Sequence, residues 1–414
     1  MEIKLLVIAD DLTGALDTGV KLAKEKISTL IVLNFKEIEK QDLKDYEVIV
    51  IDTNSRHMEA KKAGQKIEDI LRHFKDLEVD IEYIYKKTDS ALRGNIGSEL
   101  SALLRASDSK ELHFIPALPE FNRVTIDGIH YIDGKKLEDS VFAKDPFEPV
   151  EYSSVKDIIK SQSNIETITT NTYINESKNE RIIIYDAKVE QDILDIAKSL
   201  FKKGRLKTLA GCAGFINVLP ELIEFNKTSR VKNQVLGNFL AVCGSINPVT
   251  QRQVEYALDN GFKGILLKVK DLETRKDYWS TSTGKAIIEE ITKSLHSQEK
   301  VIVYLDTLFG NKKNLNMDGR FKIAEALGQL VQIIVTNNIA KNVLITGGDT
   351  LRGLCNVANI KRLIPHHELM EGIVKAKVEI NNTKFNLISK SGGFGDEKTI
   401  SEIAGILCAK ESCI

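Results

Sequence analysis

Two adjacent carboxylates, Asp10 and Asp11, leave the apolar run Ile3–Ala9 and enter a small, glycine-containing helix start, Leu12-Thr13-Gly14-Ala15. Neighbouring residues in extended chain point to opposite sides, so such a pair is able to divide its work. One carboxylate is then free to face the cleft while the other accepts backbone N–H bonds as a helix cap. The dipeptide alone fits a pair of caps equally well. Three more polar clusters follow apolar runs: Asp52-Thr53-Asn54-Ser55-Arg56, Lys86-Lys87-Thr88-Asp89-Ser90-Ala91-Leu92-Arg93-Gly94-Asn95, and Pro116 to Arg123. Together they supply Arg56, Lys87, Arg93 and Arg123 as cations and Asp89 and Asn95 as hydroxyl partners. That set suits a small polyhydroxy anion, with guanidinium on the carboxylate and carboxylates or amides on the hydroxyls. A single cluster of this kind is ordinarily solvated loop charge; four at successive strand ends point to a site.

The second half offers glycine turns. Cys243-Gly244-Ser245-Ile246-Asn247-Pro248, Thr346-Gly347-Gly348-Asp349-Thr350 and Lys390-Ser391-Gly392-Gly393-Phe394-Gly395-Asp396 each follow a strand-like run. Glycine lets backbone N–H groups approach phosphate oxygens, and a helix start favours negative charge. One such turn often exists only for packing; three read as a nucleotide cradle built from separate loops. Two other strings are set aside. Ser282-Thr283-Gly284-Lys285-Ala286 imitates the tail of a phosphate loop, but Trp279 stands at the first glycine position and Ala286 at the Ser/Thr position. Gly211-Cys212-Ala213-Gly214 lacks the rest of a dinucleotide fingerprint, so tight packing is the better reading. His113, His130, His366 and His367 show no metal spacing.

These clusters need strands to carry them. Ile/Val-rich runs at Ile3–Ala9, Val48–Asp52, Ile81–Lys87, Leu112–Ala117, Arg181–Tyr185 and Thr208–Ala210 alternate with helix-period segments. The second half repeats the pattern at Phe239–Cys243, Gly264–Val269, Val301–Leu305, Val343–Thr346 and Phe385–Ser389. The alternation predicts an α/β fold in two domains, each a mostly parallel sheet flanked by helices, with a cleft between them. The rhythm breaks twice: at 125–150, with a hairpin turn at Asp133-Gly134 and a Pro-containing loop at 144–149, and at the polar stretch 224–234. The second break is the expected linker and hinge, giving a sugar-acid domain over 1–228 and a nucleotide domain over 236–414.

Composition narrows the function. In 414 residues, 58 Lys+Arg meet 59 Asp+Glu, a net charge of −1 that gives no basic footprint for nucleic acid. Hydrophobic residues make up 42%, enough for large cores and too many for disorder. No apolar run reaches membrane-span length, and the Met1-Glu2-Ile3-Lys4 start does not read as a signal peptide. Cys212, Cys243, Cys355, Cys408 and Cys413 are scattered and odd in number, against a disulfide framework or zinc site. A cytoplasmic protein is expected, with self-association left open.

The strings IADDLTGALDTG, KKTDSALRGNIGSEL, GSINPVTQRQVEYA, TGGDTLRG and KSGGFGD, in this order from Ile8 to Asp396, resemble the four-carbon acid sugar kinase family. The resemblance implies an N-terminal sugar-acid domain, a C-terminal nucleotide domain, and ATP-dependent phosphorylation of the terminal hydroxyl of threonate, erythronate or 3-oxo-tetronate. It places Asp10, Asp11, Lys87, Asp89, Arg93 and Asn95 in substrate motifs, and Ser245, Gly347, Gly348, Asp349, Thr350, Gly392 and Gly393 in nucleotide motifs, with Lys390 beside the last. On this reading Asp10 or Asp11 activates the hydroxyl, Asp89 holds the polyol, Arg93 with Lys87 grips the carboxylate, and Mg²⁺ accompanies ATP. The chain departs from the family at Ala91 (usually Thr), Asp349 (usually Glu) and Ile246-Asn247 (usually smaller polar residues). Two rival functions remain at this point: a Mg²⁺-dependent phosphatase or phosphotransferase with an aspartyl nucleophile on Asp10-Asp11 and Asp89, and a non-catalytic sugar-acid-binding regulator.

Overall fold

The computed structural model describes residues 1–145, 148–171, 179–226, 237–309 and 317–408. The expected linker from residue 227 onward, both expected domain limits (228 and 236), Pro146-Phe147 of the expected loop, and Cys413 lie outside the described residues. The chain divides into two units, Met1–Ser229 and Arg230–Ile414.

In the first unit the strands are β1 (Glu2–Ala9), β2 (Thr29–Val32), β3 (Val48–Asp52), β4 (Asp80–Lys87), β5 (Glu111–Ile115), β6 (Arg123–Ile126), β7 (Ile129–Ile132), β8 (Lys135–Lys136), β9 (Glu166–Thr170), β10 (Arg181–Tyr185) and β11 (Thr208–Gly211). Its main sheet runs β2-β3-β1-β4-β11-β5-β10-β9, parallel throughout. Strands buried on both faces must be apolar along their length, which is why β3 (VIVID) and β10 (RIIIY) read as continuous runs. The helices Ala60–Asp76 and Ile96–Ala106 pack on this sheet, and Ile67, Ile70, Phe74, Leu100 and Leu103 join its core. A separate antiparallel sheet, β6-β7-β8, fills the break in the rhythm. Its second turn is the expected one, Asp133 and Gly134, at φ of 50° and 76°. An identical device at Asp127-Gly128, at 52° and 75°, makes the first.

The second unit contains β12 (Phe239–Cys243), β13 (Lys263–Leu267), β14 (Val301–Leu305), β15 (Asn342–Thr346), β16 (Arg362–Met370), β17 (Ile373–Ile380) and β18 (Thr383–Lys390), ordered β13-β14-β12-β15-β18-β17-β16. The first five in that order are parallel; β17 runs antiparallel to both neighbours. The sequence reading recognised only part of β18 in this region. Both units are α/β, and among the described residues no helix is long and apolar enough to cross a membrane.

Each sheet has a place where neighbouring parallel strands lead off in opposite directions. In the first unit β1 is followed by β2 and β3 on one side and by β4 on the other; in the second, β12 is followed by β13 and β14 on one side and β15 on the other. Ligands of open α/β sheets bind outside the carboxyl ends of the strands at such points. Asp10 and Thr88 leave β1 and β4 side by side, since Ala9 pairs with Lys87. Gly244 and Gly347 leave β12 and β15 in the same way, since Cys243 pairs with Thr346.

Candidate active site

At the β1/β4 switch point the two carboxylates separate as their alternation requires. Asp11 caps the helix Leu12–Lys24, accepting the Gly14 N–H at 2.8 Å. Asp10 is buried, and its Oδ2 accepts a hydrogen bond from Arg56 Nε at 2.6 Å. Its other oxygen, Oδ1, is buried without a hydrogen-bond partner among the described residues. Arg56 also reaches Asp11 Oδ2 at 2.9 Å and Asp89 Oδ1 at 3.9 Å, so one guanidinium ties three carboxylates together. Burial would raise the Asp10 pKa, but Arg56, Lys86 and Lys87 outweigh it and hold the carboxyl below its ordinary range. Asp89 is shifted the same way: burial opposes, and Arg56 and Arg93 prevail.

The loop after β4 is folded against the loop after β3. Gly94 adopts φ +86°, and a Cβ there would sit 3.2 Å from the Arg56 carbonyl oxygen, so only glycine permits this approach. Asn95 then bridges the loops, its Nδ2 donating to the Ser55 and Met58 carbonyls, each at 2.9 Å. That donor group, expected on substrate, is spent on the scaffold. Arg93 is similarly engaged. Its Nε and Nη2 donate to the two oxygens of Asp89 at 2.8 and 3.1 Å, and its Nη1 to Asp145 at 3.0 Å. The fork expected to grip a ligand carboxylate closes on the protein's own acid.

Lys87 is buried, with Nζ donating to the Thr88 carbonyl at 2.9 Å. It comes so near the Gly14 turn that a Cβ on that glycine would lie 3.2 Å from Nζ. Arg123 lies with its guanidinium 5.4 Å from the Phe142 ring centroid and donates from Nη1 to Ser90 Oγ, while its Nε is buried without a partner. Beneath the site is a pair that sequence reasoning missed: Lys86 and Glu99, both fully buried, joined at 3.1 Å. Glu99 also accepts from Ser55 Oγ. The readable signal was an acid on the apolar face of the helix Ile96–Ala106, beside Ile96, Leu100 and Leu103.

In the second unit the three glycine loops meet. A Cβ on Gly347, at φ +99°, would lie 3.4 Å from Ser245 N; one on Gly392 would collide with the Ser245 hydroxyl and lie 3.2 Å from Asn247 Cβ; one on Gly244 would strike Thr350. Asn247 caps the helix Pro248–Asp259, and Thr250 Oγ1 donates to the Gly392 carbonyl at 2.9 Å. Gly348 and Asp349 open the helix Gly348–Val357, with Asp349 exposed and 3.6 Å from Arg320. Gly393 is exposed, and a Cβ there would meet only Asn247 Nδ2, at 3.5 Å. Lys390 is buried, donates to the Ser391 carbonyl at 2.9 Å, and is pushed down to about 8 by burial. The result is three closely packed glycine turns with a buried amine beside them, an arrangement of the kind that receives phosphates.

The strings set aside are structural. Thr281 caps the helix Ser282–His296, and Gly284 faces the Tyr278 carbonyl. Gly211 and Gly214 lie against the carbonyls of Ile115 and Ala117. Burial lowers His113 to about 3 and His130 to about 4, leaving both neutral. Cys212 and Cys243 are buried free thiols and Cys408 a half-buried one.

Residues 5–219 match the family model described as the sugar-binding N-terminal domain, and residues 240–400 the model described as the nucleotide-binding C-terminal domain. The chain belongs to this family. A D-threonate kinase of Salmonella typhimurium is 28% identical, covering 96% of this chain and 97% of its own. A D-erythronate kinase of Heliobacterium modesticaldum is also 28% identical, over 66% of this chain and 64% of its own. Other relatives are named 3-oxo-tetronate kinase. A crystal structure of a Haemophilus influenzae protein shares the fold, with a TM-score of 0.75 at 19% identity over 98% of this chain and all of that one. The resemblance to four-carbon acid sugar kinases drawn from the motifs is therefore borne out.

Proposed function

We propose that this protein transfers the γ-phosphoryl group of ATP to the terminal hydroxyl of a four-carbon sugar acid (threonate, erythronate or 3-oxo-tetronate), giving the 4-phosphate. The observation that carries the reading is the gathering of Asp10, Asp11, Asp89, Arg56, Lys87 and Arg93 at one switch point of the unit that matches a sugar-binding model. Asp10 serves as general base. Arg56 fixes its Oδ2, which leaves the unpartnered Oδ1 to accept the hydroxyl proton. Its low pKa keeps it ionised at neutral pH, and a loose phosphoryl-transfer transition state asks more for positioning than for a strong base. Asp11 and Asp89 hold Arg56 and Arg93 in place, and Asp89 Oδ1 has capacity left for a substrate hydroxyl.

ATP supplies the phosphoryl group. Its phosphates would be held by Ser245, Gly347, Gly348, Thr350, Gly392 and Gly393, with Lys390 at the edge and Asp349 at the helix start. The close approach of the Gly347 and Gly392 turns to Ser245, which a Cβ at either glycine would crowd, supports that assignment. Mg²⁺ in this reading arrives with the phosphates, needing only one or two protein carboxylates; among the described residues no group of three or more His, Cys, Asp or Glu is placed to hold a metal ion. A cytoplasmic location follows from the use of ATP. The test is coupled ATP consumption against D- and L-threonate, D- and L-erythronate and their 3-oxo forms. At least one acid is expected to support turnover well above the background with threitol. Silence across the panel from well-folded protein, or a phospho-enzyme formed without acceptor, would contradict it.

A further inference from the structure

Buried polar atoms without partners cost their full desolvation, so several in one place mark where a ligand completes the structure. Among the described residues, the β1/β4 switch point has Asp10 Oδ1, Thr88 Oγ1 and Arg123 Nε in this state. Thr88 is buried; its backbone N–H reaches the Gly211 carbonyl at 2.8 Å, yet its hydroxyl has no hydrogen-bond partner among the described residues. Arg123 is joined to the same loop through Ser90, two residues beyond Thr88. By contrast, Arg56 and Arg93 already face the carboxylates of Asp10, Asp11, Asp89 and Asp145. A substrate carboxylate at either would have to displace an internal ion pair. At Arg123 it would satisfy a waiting donor.

We infer that Arg123 and Thr88, rather than Arg93, read the acid end of the substrate, with Lys87 as the second cation. This rests on the kinase reading above and sharpens it. The carboxylate accepts from Arg123 Nε, Lys87 Nζ and Thr88 Oγ1, which leaves Asp10 Oδ1 to the terminal hydroxyl. Phe142 stiffens the arrangement, with the guanidinium carbons of Arg93 and Arg123 5.0 and 5.4 Å from its ring centroid. A hydroxyl built into a site in this way discriminates strongly, because an analogue lacking the partner leaves it unpaired.

The experiment is calorimetric titration of D-threonate, D-erythronate and threitol into the full chain, with thermal melts of each variant. Arg123→Met is expected to weaken acid binding about 10- to 100-fold and to abolish the preference for acid over threitol, with Arg123→Lys intermediate. Thr88→Val, which removes an unsatisfied hydroxyl at constant volume, should raise the melting temperature while weakening acid binding about 10-fold, a combination that a bracing role cannot give. Arg93→Lys should lower the melting temperature and keep the acid preference. A folded Arg123→Lys and Arg123→Met pair that both retain the acid preference overturns the inference while leaving the kinase reading intact. So does a Thr88→Val protein with unchanged affinity, which would mean that the hydroxyl holds only water. If the unmodified chain binds no four-carbon acid, the kinase reading fails and this inference with it.

Discussion

Replacing Glu99 by Leu would strand Lys86 as an uncompensated charge in the floor of the site. Both residues are fully buried, 3.1 Å apart, and the Lys86 amine has one further acceptor, the Lys87 carbonyl at 2.9 Å. Breaking one side of a buried pair costs about 3–5 kcal/mol, a large share of the roughly 5–15 kcal/mol that holds a typical domain together. Replacing both sides by apolar residues of similar volume is often neutral, so Lys86→Met/Glu99→Leu should recover most of the loss. Urea unfolding of the two singles and the double closes the cycle. A Glu99→Leu protein within about 1 kcal/mol of the parent would refute the reasoning. The pair also bears on chemistry, because Lys86 is one of the cations that hold Asp10 low. A carboxyl with a depressed folded pKa contributes stability above its unfolded value near 4 and loses it as pH falls through the folded value. Glu99 has the opposite sign, since burial raises it despite Lys86. In the Lys86→Met single variant the acid limb of kcat/KM should therefore move to higher pH. An unmoved limb would show that Lys86 does not act on the base.

Asp10→Asn should lower kcat by about 10²–10⁴, whereas Asp11→Asn, at a helix cap, should mainly change stability, by about 1 kcal/mol or less; comparable kcat losses would undo the division of labour. Gly347→Ala forces a side chain into φ +99° beside Ser245; it should raise the KM for ATP by more than that for the sugar acid, and an equal rise in both would argue against the cradle. Lys390, lowered to about 8 from an ordinary 10.5, should make stability rise from about pH 8 to 10, where the unfolded chain binds the extra proton. Lys390→Met should flatten that rise in urea titrations, and an unchanged slope would mean the amine is not the group responsible.

The parallel strands were legible because strands buried on both faces have to be apolar throughout: β3, β10, β12 and β14 coincide with their Ile/Val runs. The antiparallel end of the second sheet was not, although β17 alternates (IVKAKVEI) and is joined to β18 by Asn381-Asn382, both at positive φ. Lysines at two of its eight positions, Lys375 and Lys377, hid the strand, and Lys375 is nevertheless buried. In the site, residue types and strand ends indicated which groups converge but not which cation meets which acid. Arg93 had Asp89 or Glu99 as structural partners within reach along the chain; the helix turns Glu99 inward to Lys86 and leaves Asp89 to Arg93. Such pairings depend on a few degrees of loop geometry, including Leu92 at φ 55° and Gly94 at 86°, which neither composition nor periodicity encodes.

The central claim is a transfer to a four-carbon sugar acid, and the product tests it most directly. Incubation with ATP, Mg²⁺ and each acid of the panel, followed by proton-coupled phosphorus NMR, identifies the carbon that receives the phosphoryl group. The account predicts a phosphate ester on the terminal carbon, formed in equal amount with ADP and lost in Asp10→Asn. ATP consumed without an ester on any of these acids, or an ester whose formation survives Asp10→Asn unchanged, would contradict it.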